Sequence, residues 1–210
     1  MTIKKEITGI AVFIVCSVQS APTTEINPGC KVTINQAHQY YSNPCGGLCL
    51  HLTRDSVMTQ VSNMAGRANK EIASYLSQSR TFIFQQTSPE LDHMNFPLFQ
   101  KMDTYEETLK RTYVDLAIYF TFCMQVKQFE QDSNLQFSPP HFIHYIDMTL
   151  LHIMRDIAAG LQDAHFVAQI PIVSRHCLST ELLRYQTQKQ IIMKNLNSYF
   201  QSLRLFGLSA

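Results

Sequence analysis

The chain has 210 residues, 45% of them apolar and 16% charged, with a formal net charge of +1. That length suits one domain with a single core, and the composition lacks the charge runs and low hydrophobicity of a disordered chain. Without clustered lysine and arginine there is no electrostatic basis for binding nucleic acid or an anionic membrane surface.

The N-terminus carries Lys4 and Lys5, an apolar run from Ile7 to Val18, and small residues up to Ser20. This tripartite pattern predicts a signal peptide over residues 1–20, cleaved near Ser20. The apolar run is shorter than the ~20 residues that span a bilayer, so a secreted, extracellular protein without membrane insertion is expected. Cleavage would remove two lysines and one glutamate, taking the formal charge from +1 to zero.

It would also remove Cys16, leaving Cys30, Cys45, Cys49, Cys123 and Cys177. An oxidising compartment favours disulfides, for which Cys30, Cys45, Cys49 and Cys177 are the candidates. Cys45 and Cys49 read as a staple rather than half of a zinc site, which wants closer spacing and a second pair. Five thiols cannot all pair within one chain. Cys123 falls on the apolar stripe of a predicted helix and is the expected free, buried cysteine.

Residues 21–47 contain Pro22, Pro28, Gly29, Pro44, Gly46 and Gly47, a density of breakers that predicts an extended leader. Residues 48–210 form the predicted helical domain. From Leu48 to Gln78, apolar residues at Leu50, Val57, Val61, Met64, Ala68, Ile72 and Tyr75 recur at helical spacing. Pro89 and Pro97 break the period in a long connection, in which Phe82-Ile83-Phe84 is a candidate extended piece. Asp103, three residues before Glu106, resembles a capping box and opens a second helix with Leu109, Tyr113, Leu116, Phe120 and Cys123 on its stripe, ending near Asp132.

Ser138-Pro139 predicts the third start, and Phe142, Ile146, Leu150, Ile153, Ile157, Leu161 and Ala164 continue it. The fourth helix runs from Leu178 through Leu182, Tyr185, Ile192, Leu196, Tyr199 and Leu203, with Gly207 placed to end it. Lys189 interrupts this stripe and is read as a snorkelling stem at its edge. Four helices of about 40 Å favour an elongated all-α four-helix bundle over a pile of short helices.

Several short segments then resemble one family. Asn43-Pro44-Cys45 with Cys49 ahead of the first long helix, Asn95-Phe96-Pro97-Leu98-Phe99 ahead of the second, and Lys189-Gln190-Ile191-Ile192 within the last are similar to the leukemia inhibitory factor, oncostatin M and ciliary neurotrophic factor group of interleukin-6-class long-chain helical cytokines. The resemblance implies an up-up-down-down bundle and a secreted, monomeric ligand. Such a ligand bridges cell-surface receptors of the glycoprotein-130 and leukemia inhibitory factor receptor type to trigger kinase–STAT signalling. Residues 174–184 lack the group's aromatic residue followed three positions later by lysine, so no receptor contact is carried over there. The group's cysteines near the end of the third helix and in the first long connection are also missing, so its disulfide pairing is not transferred. In that topology the connection from Phe166 to Cys177 spans at most about 40 Å, which requires the third helix to stop early, near Gly160, or the last to start late.

Other classes are less well served. His141-x-x-His144 lacks the further ligands of a metal site, Glu106-Glu107 reads as acidic residues at a helix N-terminus, and no catalytic or cofactor motif is present, so neither an enzyme nor a metal or cofactor is expected. A prolactin- or growth-hormone-like hormone would carry a cysteine pair near the C-terminus, absent from residues 190–210. That hormone branch stays the nearest alternative, and a carrier with an apolar cavity lined by Phe120, Phe122, Tyr145 and Phe166 comes after it, since such residues at helical spacing are ordinarily core. The expected receptor surface lies on the faces opposite the buried stripes. It comprises Thr59, Asn63 and Lys70 on the first long helix with His144, Met148, Leu151, Arg155 and Gln162 on the third. The alternative for Met148 and Leu151 is that part of the first long connection covers them.

Overall fold

The computed structural model describes residues 28–46, 49–79, 96–133, 138–139, 141–161 and 163–209. The expected signal peptide, the Phe82-Ile83-Phe84 piece and Gln162 lie outside the described residues. Six helices form, and no strand is found among the described residues: α1 (Pro28–Ser42), α2 (Arg54–Gln78), α3 (Tyr105–Asp132), α4 (Phe142–Leu161), α5 (Ala164–Ala168) and α6 (Leu182–Ser209). No helix among the described residues is long and apolar enough to cross a membrane.

The described part of the expected extended leader, residues 28–46, is instead largely helical. Its described breakers sit at the edges of α1 rather than in its middle, with Pro28 and Gly29 in the first turn and Pro44 and Gly46 in the turn beyond. Between them Ile34, Ala37 and Tyr41 recur at helical spacing and are buried. This short stripe packs α1 on α3, where the Tyr113 hydroxyl donates to the Tyr41 carbonyl at 2.6 Å.

Helix ends follow local chemistry. Thr53 caps α2, so the first long helix begins at Arg54 and not at Leu48, leaving Leu50 exposed. The capping box of α3 is Thr104 with Glu107, one residue beyond the expected Asp103 and Glu106. Ser138 does not cap α4; its hydroxyl turns inward to Glu130. Helix α4 stops at Leu161 and α6 starts at Leu182, so the third helix ends early and the last starts late.

Gly207 lies within α6 rather than ending it. A Cβ there would sit 2.6 Å from Ser62 Cβ and 3.1 Å from the Met58 carbonyl oxygen, and one at Gly160 would sit 2.6 Å from Val57 Cγ2. Both glycines allow α2 to lie close to its neighbours.

Contacts set the helix directions. Ser62 reaches the Arg204 carbonyl and Asn69 reaches Asn197, so α2 and α6 run antiparallel. Val57 meets Gly160 and Tyr75 stacks on Phe142, so α2 and α4 run antiparallel. Lys110 pairs with Asp163 and Lys127 with Asp147, which opposes α3 to α4.

Helix α3 is covered on nearly every side, by α1, α4 and α6, by the strap in which Phe96 and Phe99 pack, and by the α5–α6 connection. Gln125 on α3 pins that connection: its amide donates to the His176 carbonyl and accepts from the Leu178 amide, each at 2.9 Å. Cys30 and Cys177 lie at disulfide distance beside this clamp, with Cα atoms 5.9 Å apart, and Cys45 and Cys49 form the other pair at 5.1 Å. Cys123 is free and buried. Peptide mapping without reductant is expected to recover Cys30 joined to Cys177 and Cys45 joined to Cys49; recovery of all four as free thiols would contradict these pairs.

Asp115 is also enclosed within α3, 3.0 Å from Arg111 Nε and accepting the Tyr199 hydroxyl at 3.2 Å. Burial raises its pKa above the usual carboxylate value, outweighing Arg111 and Tyr199. A carboxyl raised in the fold favours folding when protonated, below its unfolded pKa of ~3.9, and that contribution is lost as pH rises through the folded pKa. Asp115→Asn is therefore expected to have a higher urea midpoint than wild type at neutral pH, by a margin that shrinks as the pH falls through the raised folded pKa and levels off below about pH 4. A margin independent of pH would contradict this.

Candidate functional site

The surface residues expected from helical spacing do not form one patch. Thr59, Asn63 and Lys70 are exposed along α2. On α4, His144 is exposed but leans toward α3, with Nδ1 3.5 Å from Asp147 and 3.4 Å from Lys127 Nζ. Met148 is half-buried. Leu151 is buried and belongs to the core, so it cannot serve as the exposed contact expected of it. Arg155 is exposed, and its Nε donates to the Pro44 carbonyl at 3.2 Å.

Among the described residues, the α1–α2 turn crosses the C-terminal half of α4; most of the long α2–α3 connection, the other expected cover, lies outside the described residues. Arg155 holds Pro44, the Leu52 amide donates to the Ala159 carbonyl, and Cys45 and Leu52 pack on the core. Half of the expected α4 face is thereby used for folding.

What remains open is a groove of about 570 Å³ between the C-terminal half of α2 and the start of α4. Its floor is the stack of Tyr75 on Phe142, with ring centres 4.6 Å apart and planes 21° from parallel. Arg67, Lys70, Glu71, Ser74 and Gln78 line it from α2, and Pro139, His141 and Tyr145 line it from the other side. Both aromatic floor residues were legible as stripe positions. Tyr145, 39% exposed, lies off the stripe and stands at the rim. Lys70 is the one residue of the expected surface that the groove includes.

The start of α4 is shaped by His141, whose φ of 65° lies in the left-handed region. Histidine enters that region more readily than branched residues, but still at a cost. The conformation is fixed on both sides: the Phe142 amide donates to the Pro139 carbonyl at 3.0 Å and the Tyr145 amide to the His141 carbonyl at 2.8 Å. The chain thus turns sharply into α4 and places His141 and Tyr145 on the groove.

Electrostatics vary from floor to rim. Burial raises the Tyr75 hydroxyl pKa, against the lowering effect of its hydrogen bond with Ser79, so this ring presents a neutral face. At the rim, Arg67, Lys70 and Glu71 form no ion pair with another described residue. Among the described residues no three His, Cys, Asp or Glu side chains gather as metal ligands. A flat aromatic floor, a tyrosine rim and unpaired charges of both signs suit contact with another protein, where aromatic anchors and arginine carry much of the binding energy. No family model, curated protein or solved structure matches the chain.

The left-handed turn has a measurable signature. His141→Gly is expected to be more stable than His141→Ala by about 1 kcal/mol, because only glycine escapes the Cβ penalty there. Equal unfolding midpoints for the two variants would contradict the strain.

Proposed function

We propose that this chain is a secreted helical ligand that joins cell-surface receptor chains of the glycoprotein-130 and leukemia inhibitory factor receptor type. The observation that carries the reading is the direction of the long helices. Helices α2 and α3 each run opposite to α4, and α2 runs opposite to α6. With long connections after α2 and α4, these directions support an up-up-down-down order.

Three further features support it. Helix α4 ends early and α6 begins late, leaving residues 162–181 to cover the return path along the bundle. Two cysteine pairs at disulfide distance suit an oxidising, extracellular compartment. The groove between α2 and α4 presents Tyr145, Arg67 and Lys70 around an aromatic floor, the composition of a protein-binding hot spot. In this reading the groove replaces Leu151 and Arg155 as the centre of the receptor contact. The carrier alternative is less favoured because Phe96, Phe99, Phe120, Tyr119 and Tyr199 pack ring against ring or ring against backbone.

Titration of the purified chain over immobilised receptor ectodomains tests the reading. Wild type is expected to be captured, and Tyr145→Ala and Lys70→Glu each to lose about 2 kcal/mol or more, roughly 30-fold in affinity, with unchanged helicity by circular dichroism. Capture by neither ectodomain would overturn the receptor assignment; capture unaffected by both substitutions would overturn the site.

A further inference from the structure

Directly beneath the groove lies a charged cluster that helical spacing alone presents as peripheral. Lys189 on α6 is only 1% exposed, so it is a buried residue and not a snorkelling one. Its Nζ donates to Glu130 on α3 and to the Ser138 hydroxyl. Ser138 also lies 3.2 and 3.3 Å from the two Glu130 carboxylate oxygens, and the Tyr185 hydroxyl donates to the same carboxylate at 3.2 Å. Lys189 Nζ stands 5.2 Å from the centre of the Tyr75 ring, on which Phe142 stacks.

Two routes lead from this pair to the groove. One passes through Ser138 to its neighbour Pro139, which lines the groove and whose carbonyl holds the Phe142 amide at the start of α4. The other passes through the Tyr75 ring to the floor. A buried ion pair is weak evidence for stability, because desolvation offsets much of its attraction, but it restricts how its partners can be arranged. Here those partners are the wall and floor of one site, which a supporting layer must hold in place.

We propose that Lys189 and Glu130 are positioning residues for the α2–α4 groove: the buried pair fixes Ser138, and through it Pro139 and His141 on the groove wall, in the geometry that receives a protein partner. The inference rests on the reading of the groove as a partner site. Its structural half can be measured without any partner. A pair serving only general stability would affect the whole bundle alike, whereas a positioning pair acts first on the entry to α4.

Hydrogen exchange of backbone amides in the full chain separates these cases, with Lys189→Met and Ser138→Ala compared against Leu203→Ala, a buried substitution at the far end of α6. Each variant is compared at denaturant concentrations that equalise global stability. Lys189→Met and Ser138→Ala are expected to speed exchange at the Phe142 and Tyr145 amides by tenfold or more, with little change in the amides of α2 around Ser62. Leu203→Ala is expected to leave the Phe142 and Tyr145 amides slow. Equal effects from all three variants, or no effect from Ser138→Ala, would overturn the positioning role. Where an ectodomain binds wild type, Lys189→Met should also dissociate at least several-fold faster, and an unchanged off-rate would overturn the functional half. Failure of wild type to bind any ectodomain, with the exchange pattern intact, would overturn the receptor reading alone.

Discussion

The enclosure of α3 is the constraint on which the rest of the structure depends. A helix covered on most of its circumference must bury whatever polar groups its sequence carries, and each needs an internal partner. Thr108, Thr112, Asp115, Thr121 and Gln125 are all buried on α3. Thr108 and Thr121 return their hydroxyls to carbonyls one turn back, Asp115 takes Tyr199 and Arg111, and Gln125 takes the backbone at His176 and Leu178. These partners fix the register of α3 against α6 and against the α5–α6 connection. They also make the connection a fitted part of the core, where it is further held by Tyr41, whose hydroxyl donates to the Pro171 carbonyl and accepts from the Val173 amide.

The same economy governs the surface. Helix α1 and the turn after it cover part of α3 and the C-terminal half of α4, so these faces are consumed by folding. The strap around Phe96 and Phe99 covers α3 and α6, with Tyr119 donating to the Pro97 carbonyl. The groove at the other end of α4 stays open because the chain enters that helix through the tight turn at His141, leaving Tyr75, Phe142 and Tyr145 without a covering segment among the described residues. The proposed receptor contact is therefore placed by what the wrapping segments leave free.

Much of the helical order was legible because apolar spacing is a local signal. Four stripes, and Cys123 as a buried position on one of them, could be read from residues close in sequence, whereas the early end of the third helix followed only from the reach of the connection in the resembled topology. The covering role of α1 was not, because its stripe is only Ile34, Ala37 and Tyr41, and the flanking prolines and glycines read as a leader. Leu151 and Lys189 failed in opposite senses. Leu151 lies off the α4 stripe but is buried in the core, and Lys189 interrupts the α6 stripe but meets Glu130, 59 positions away. Spacing reports which side of a helix a residue occupies; it does not report what comes to cover that side. The groove shares this limit, since Tyr75 and Phe142 were visible as core positions while their stacking and Tyr145 at the rim depend on how α2 meets α4.

Cys123 offers the most direct test of this arrangement, since it sits in the middle of α3 with its thiol fully buried and its pKa pushed up by that burial. Its modification by an aromatic disulfide reagent, followed under native conditions and across a urea series, measures how often α3 is uncovered. If the wrapping segments and α3 form one cooperative core, labelling should be slower than for a free thiol by orders of magnitude and should accelerate in step with global unfolding. Labelling of the native chain at a rate near that of a free thiol, with little dependence on urea, would contradict the enclosure of α3.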